Sequence, residues 1–155
     1  MFDTIRGLPV HALVVHAVVV LIPLAAIGLI AIAVRPSWRR AYAPVVVILA
    51  TIGLALVPVA TRSGSKLEER LNAGGVVAQQ IEDHEEMAKL VIWPTLAMWI
   101  VAVTLLVMDR RGRTGRPMTV LAVVAVVVAL AAAGQAAIAG DLGSTAVWKC
   151  TVNPC

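Results

Sequence analysis

The chain has 155 residues, of which 60% are hydrophobic and 14% are charged, with a formal net charge of +4. Its mean hydropathy of +0.91 is typical of membrane proteins, and four apolar runs each reach the ~20 residues that a helix needs to cross a ~30 Å hydrocarbon layer. Four spans leave no room for a soluble catalytic module, and four Trp, one Tyr and one Phe offer no stacking platform for nucleic acid.

The apolar runs predict an all-α fold, a four-helix transmembrane bundle that forms a single domain over residues 1–155. Pro9 opens the first run at a helix-initial position, and Pro23 and Pro94 are expected to bend the first and third helices. The first run is too long for a secretory signal core, so we expect this span to be retained. The predicted spans are 8–34, 42–60, 87–108 and 118–140, with an outer loop over 61–86.

The charges of the loops predict the orientation. Basic residues concentrate in two short loops, which favours a cytoplasmic position for both; these residues are Arg35, Arg39 and Arg40 in the first loop and Arg110, Arg111, Arg113 and Arg116 in the third. Acidic residues outnumber basic ones in the second loop, so we expect it to lie outside. The sequence therefore predicts a multi-pass protein of the cell membrane with both termini on the outer side.

The two cysteines, Cys150 and Cys155, lie in the C-terminal tail. Because disulfides persist in compartments outside the cytosol, we expect the two to be joined. Two free thiols are the alternative, and the absence of a Cys-x-x-Cys spacing argues against a redox-active pair.

The outer loop divides at Gly74-Gly75. Before it, Leu67 and Leu71 are spaced as in a short amphipathic helix lying on the membrane interface. After it, apolar residues and His84 recur at 3.5-residue spacing, which predicts a helix that begins above the membrane and continues into the third span. His84 then lies on the buried stripe of that helix.

His11, His16 and His84 are the only histidines in the chain. Ionisable groups at membrane depth are functional-site hypotheses by default, and their depth follows from counting along each helix at ~1.5 Å per residue. Three intervals agree to within one residue and define one outer level: Arg35 to His11, Asp109 to His84 and Arg116 to Asp141. A second, deeper level contains His16 and Gln135, which lie at equal intervals from the same two arginines, Arg35 and Arg116.

Local spacing matches no metal motif. His11 and His16 are five residues apart and point about 140° from one another on a helix, so they do not form a one-helix metal site. No nucleophile and base arrangement is recognisable either, which leaves the question of enzymatic activity open.

Several segments resemble a known family. The stretches 7–16, 61–69, 84–88 and 140–148 contain Gly-Leu-Pro-Val-His, Thr-Arg-Ser-Gly-Ser-Lys, His-Glu-Glu-Met-Ala and Gly-Asp-Leu-Gly-Ser-Thr. Together they resemble the bacterial membrane proteins grouped as domain of unknown function 2231. The resemblance implies a four-span membrane protein without an established biochemical role. In that family the position of Asp141 is often histidine, so the aspartate departs from a site made only of histidines.

Three interpretations of the polar cluster remain open. His11, His84 and Asp141, with His16 as a further candidate, are expected to ligate a divalent metal, and Gln135 forms a second layer. Alternatively, His11, His16 and His84 supply the ligands of a b-type haem in a redox protein. In the third interpretation the cluster only fixes the bundle of a scaffold or accessory subunit. The expected partners are the lipid bilayer and a membrane complex or a second copy of the chain.

Overall fold

The computed structural model describes residues 4–5, 8–71 and 75–152. Five helices dominate, and a minimal antiparallel pair of two-residue strands precedes them. The elements in chain order are β1 (Thr4–Ile5), β2 (Leu8–Pro9), α1 (Val10–Val34), α2 (Pro36–Leu71), α3 (Gly75–Leu90), α4 (Ile92–Arg110) and α5 (Arg116–Val152).

Four of these segments are long and apolar enough to cross a membrane, which confirms the predicted four-span, all-helical fold. They are Val10–Val34, Pro36–Glu69, Val76–Arg110 and Arg116–Trp148. Helices α2 and α5 extend beyond the apolar runs that predicted them. The separate interfacial helix expected at Leu67 and Leu71 is not confirmed, because α2 continues through this segment without interruption to Leu71.

The turns at the basic end of the bundle follow from proline and glycine. Arg35 alone separates α1 from α2; it is extended, at φ −113° and ψ 90°, as a residue before proline prefers. Five residues separate α4 from α5, and here Gly112 and Gly115 have φ values of +65° and +80°. Only glycine adopts this left-handed conformation without strain.

The third span is interrupted where α3 meets α4. Val91 forms a turn between the two helices, and Pro94 lies in the first turn of α4, where it has no N–H to donate to the preceding turn. The segment predicted as one helix leading into span three thus forms two helices, α3 and α4, with His84 near the end of α3.

The spans pack in a ring. Helix α1 contacts α2 and α5, and α4 contacts the same two helices, whereas α1 and α4 scarcely touch. Helices α1 and α4 therefore lie on one diagonal of the bundle, and α2 and α5 on the other. His11 on α1 and His84 on α3 belong to the first diagonal.

The two halves of the chain repeat one packing pattern. Five buried residues follow each histidine at matching intervals: Val18, Ile22, Ala25, Leu29 and Ile32 after His11, and Val91, Thr95, Met98, Ala102 and Leu105 after His84. Four buried residues likewise precede an alanine at matching intervals in α2 and α5: Val57, Ala50, Val46 and Arg39 before Ala60, and Ala136, Ala129, Ala125 and Met118 before Ala139. The bundle thus contains two helical hairpins of the same register and direction, a parallel repeat of the kind known in transporters.

Candidate functional site

The two histidines that begin the hairpins meet across the bundle. Both His11 and His84 are half-buried, and the centroids of their rings are 6.3 Å apart with an angle of 75° between the ring planes. The two residues are far apart in the sequence, since one begins the first span and the other precedes the third. The pairing of the hairpins therefore creates this contact.

His11 is held by α2. Its Nδ1 lies 3.0 Å from the carbonyl oxygen of Ala60, and the hydroxyl of Ser63 donates to the same oxygen at 3.0 Å. The ring rests against Gly64, where an added Cβ would lie 3.0 Å from the ring's Cε1. A side chain here would crowd the imidazole, so the ring would have to shift by a few tenths of an ångström.

His84 is held by α5 in the same way. Its Nδ1 lies 2.9 Å from the carbonyl oxygen of Ala139, and a Cβ added to Gly143 would lie 2.9 Å from the ring's Cε1. In both halves the carbonyl and the glycine are four residues apart, within the pattern Ala-x-x-x-Gly-Ser at 60–65 and 139–144. Each hairpin therefore builds the same backbone cradle for its own histidine.

These contacts assign the proton on each ring. A carbonyl oxygen only accepts hydrogen bonds, so each Nδ1 carries hydrogen and donates it. In the neutral form of each ring the Nε2 keeps its lone pair, and neither Nε2 has a hydrogen-bond partner among residues 9–69 and 76–148. Metal-ligating histidines use this arrangement, in which one ring nitrogen donates to a carbonyl and fixes the orientation of the other.

The carboxylate of Glu85 lies next to the histidine pair, on the residue that follows His84. Glu85 accepts a hydrogen bond from the hydroxyl of Ser65 and forms an ion pair with Lys89 at 3.1 Å. Ser65 follows Gly64 and Glu85 follows His84, so this bond ties α2 to α3 directly beside the two rings.

The other predicted site residues lie apart from this pair. His16 is exposed and its Nδ1 bonds to the carbonyl oxygen of Ala12 on its own helix. Asp141 is also exposed, and the Nε2 of Gln135 donates to the carbonyl oxygen of Met87 at 3.2 Å. Within the described ranges, no group of three or more His, Cys, Asp or Glu side chains is placed to hold a metal ion.

The predicted disulfide falls at the C-terminal end. Cys150 is in the last turns of α5, but its side chain and the whole of Cys155 lie outside the described residues. The pairing of these two cysteines stays a prediction.

Sequence reasoning missed the residues that hold the rings. Ala60, Gly64, Ala139 and Gly143 contribute only backbone to the site, so their chemistry gives no signal. The recurrence of Ala-x-x-x-Gly-Ser at the end of the second and of the fourth apolar run is the sequence feature that identifies them.

The match to a family covers almost the whole chain. A family model described as predicted membrane protein, DUF2231, matches residues 7–154. The chain belongs to the DUF2231 family. No curated protein and no solved structure matches the chain. The family description names a membrane protein and gives no role for the histidines.

Proposed function

We propose that this DUF2231 chain is a metal-binding membrane protein in which His11 and His84 ligate one transition-metal ion through their Nε2 atoms. The observation that carries the proposal is the matched cradle. Both Nδ1 atoms are bonded to backbone carbonyls of neighbouring helices, and both Nε2 atoms are left as lone-pair donors. Neutral imidazole of this kind suits zinc, copper, iron and nickel.

The separation of the rings supports a shared ion. A metal-to-nitrogen bond of ~2.0–2.1 Å puts an imidazole centroid about 3.2 Å from the ion, so two imidazoles on one ion have centroids at most about 6.4 Å apart. The observed separation is 6.3 Å, so a shared ion requires both Nε2 atoms to face it in a nearly linear arrangement. Two protein ligands leave further coordination positions for solvent or a substrate.

Asp141 and His16 remain the proposed additional ligands, as the sequence predicts, with Gln135 in a second layer. Both Asp141 and His16 are exposed, so each must turn inward to reach an ion at the histidine pair. We therefore expect substitution of Asp141 or His16 to weaken metal binding less than loss of His11 or His84.

A b-type haem is the second candidate, because its two axial imidazoles also face each other across one iron. The ring separation fits this arrangement equally well. Two features favour a smaller occupant: the backbones of Gly64 and Gly143 lie so close to the rings that even an added Cβ would crowd them, and Ala132 and Ala136, which would have lined a haem, are packed in the core. In the scaffold alternative, the histidines contribute only their bonds to the two carbonyls.

The test separates ligation from structure. Asparagine places a donor near the position of histidine Nδ1 but has no counterpart of Nε2, so His11→Asn and His84→Asn keep the bond to the carbonyl while removing the proposed ligand. His16→Asn is the comparison variant, which should weaken metal binding without abolishing it. Purified protein is loaded with zinc, copper or iron, and bound metal is measured by elemental analysis beside an optical spectrum.

We expect about one metal ion per chain in the unchanged protein and in His16→Asn, and none in the two other variants. A Soret band that is lost in His84→Asn would show that the histidines bind haem and not a metal ion alone. Absence of both groups from folded protein would contradict the proposal and leave the scaffold alternative.

We also propose that the chain spans the cell membrane with the histidine pair and both termini outside, because the arginine-rich turns lie at the opposite end. Cys150 and Cys155 allow a direct test. After reduction of intact cells, a membrane-impermeant maleimide should label the chain. Labelling only after the cells are opened would show that the C-terminus lies inside, which contradicts the proposed orientation.

A further inference from the structure

An open groove lies at the end of the bundle opposite the histidine pair. It has a volume of about 500 Å³ between the end of α4 and the start of α5, and its lining surface is almost entirely apolar, although Arg116 is among the residues that form it. The lining residues are Met108, Arg116, Pro117, Val120, Leu121 and Val124.

The corresponding positions in the first hairpin hold side chains that pack on one another. Counted from the histidine and from the cradle alanine of each half, Met108, Pro117 and Leu121 correspond to Arg35, Trp38 and Tyr42. The rings of Trp38 and Tyr42 are 5.8 Å apart, and the guanidinium of Arg35 lies 4.9 Å above the Trp38 ring. The first hairpin thus provides its own cation and aromatic groups where the second hairpin leaves a groove.

The charges around the two positions also differ. In the first hairpin, the buried Arg39 donates to the carbonyl oxygens of Ile32 and Ala33 at 2.9 and 3.0 Å. Met118 occupies the equivalent place in the second hairpin. Arg116 at the edge of the groove makes no hydrogen bond or ion pair with the described residues, and Arg111 and Arg113 in the adjoining turn are exposed.

We propose that this groove binds an anionic phospholipid, with an acyl chain against the apolar wall and the phosphate beside Arg116. Basic pockets between membrane helices recognise anionic headgroups in this way. The lining below the arginine is apolar and belongs to a membrane-spanning segment, so it suits an acyl chain. The site is independent of the histidine pair and of any metal there.

The first hairpin suggests the decisive variant. Replacing Pro117→Trp together with Leu121→Tyr copies the aromatic pair of the first hairpin into the groove and should fill it. Arg116→Gln removes only the charge, at an exposed position where it does not threaten folding. Arg62→Gln, exposed at the other end of the bundle, is the control for net charge.

The measurement is native mass spectrometry of the full chain in neutral detergent, titrated with phosphatidylglycerol or with phosphatidylcholine of the same acyl chains. We expect phosphatidylglycerol to bind more tightly, and Arg116→Gln to weaken its binding about fivefold while Arg62→Gln leaves it unchanged. The filled variant should bind neither lipid at the groove. Equal binding of the two lipids to the unchanged protein, or an unaltered preference in Arg116→Gln, would overturn the proposal.

Discussion

The cradle of His84 gives a sharp prediction for Gly143→Ala. The added methyl would lie 2.9 Å from Cε1, 3.1 Å from Nδ1 and 3.4 Å from Nε2 of the histidine. The first distance is shorter than real Cβ contacts allow, so the ring must move. A moved ring loses its hydrogen bond to the carbonyl oxygen of Ala139.

The magnitude follows from two opposing terms. Alanine stabilises a helix interior by about 0.5–1 kcal/mol relative to glycine, while an unsatisfied half-buried donor and acceptor cost about 1–3 kcal/mol. Gly134, in the same helix, supplies the control because a Cβ there meets nothing within 4 Å. We therefore expect Gly143→Ala to be about 1–3 kcal/mol less stable than Gly134→Ala.

The assay is reversible unfolding in mixed micelles, followed by circular dichroism, for both variants in parallel. Gly143→Ala should also weaken any metal binding about ten- to a hundredfold, as expected for a group that orients a ligand. Equal stability of the two variants would refute the argument that the glycine exists to admit the imidazole.

Three further predictions concern the rest of the bundle. Arg39→Met removes two hydrogen bonds to carbonyl oxygens at the end of α1 and should lower the free energy of unfolding by about 1.5–3 kcal/mol, whereas Arg40→Met at an exposed position should change it by less than about 0.5 kcal/mol. Thr51→Val removes the acceptor of the Trp99 indole N–H, at 2.8 Å, and should cost only about 0.6 kcal/mol in the same unfolding assay, as is typical of bonds between membrane helices. If Cys150 and Cys155 form the predicted disulfide, intact mass spectrometry should show a gain of two hydrogens on reduction, and an unchanged mass would show free thiols.

The helical spans and their number could be predicted from sequence because the bilayer requires about 20 apolar residues per crossing. The contact between His11 and His84, which His16 does not join, could be predicted only in part. Counting residues along straight helices put His11 and His84 at one level, but it put Asp141 there as well. Depth alone does not tell which side of a helix a residue occupies, and Asp141 lies on an exposed side.

The extent of α2 beyond its apolar run could not be predicted from hydropathy. Beyond Ala60 the chain becomes charged, and the sequence indicates a loop with a separate short helix. In the structure α2 continues to Leu71, and its first polar turn carries Ser63 and Gly64, which contact His11. Tertiary contacts with the histidine favour helix where hydropathy indicates a membrane boundary.

The sequence by itself determined that this protein is a four-span helical membrane protein, and it singled out histidines as the unusual polar groups in those spans. Hydrophobic length and charge decide such features locally, without reference to the rest of the chain. Only the tertiary structure decided which histidines meet and which ring nitrogen each presents. Each hairpin folds in the same register, which brings the carbonyls of Ala60 and Ala139 to rings that lie 49 and 55 residues away in the chain. The pairing of the two hairpins then brings the two rings together.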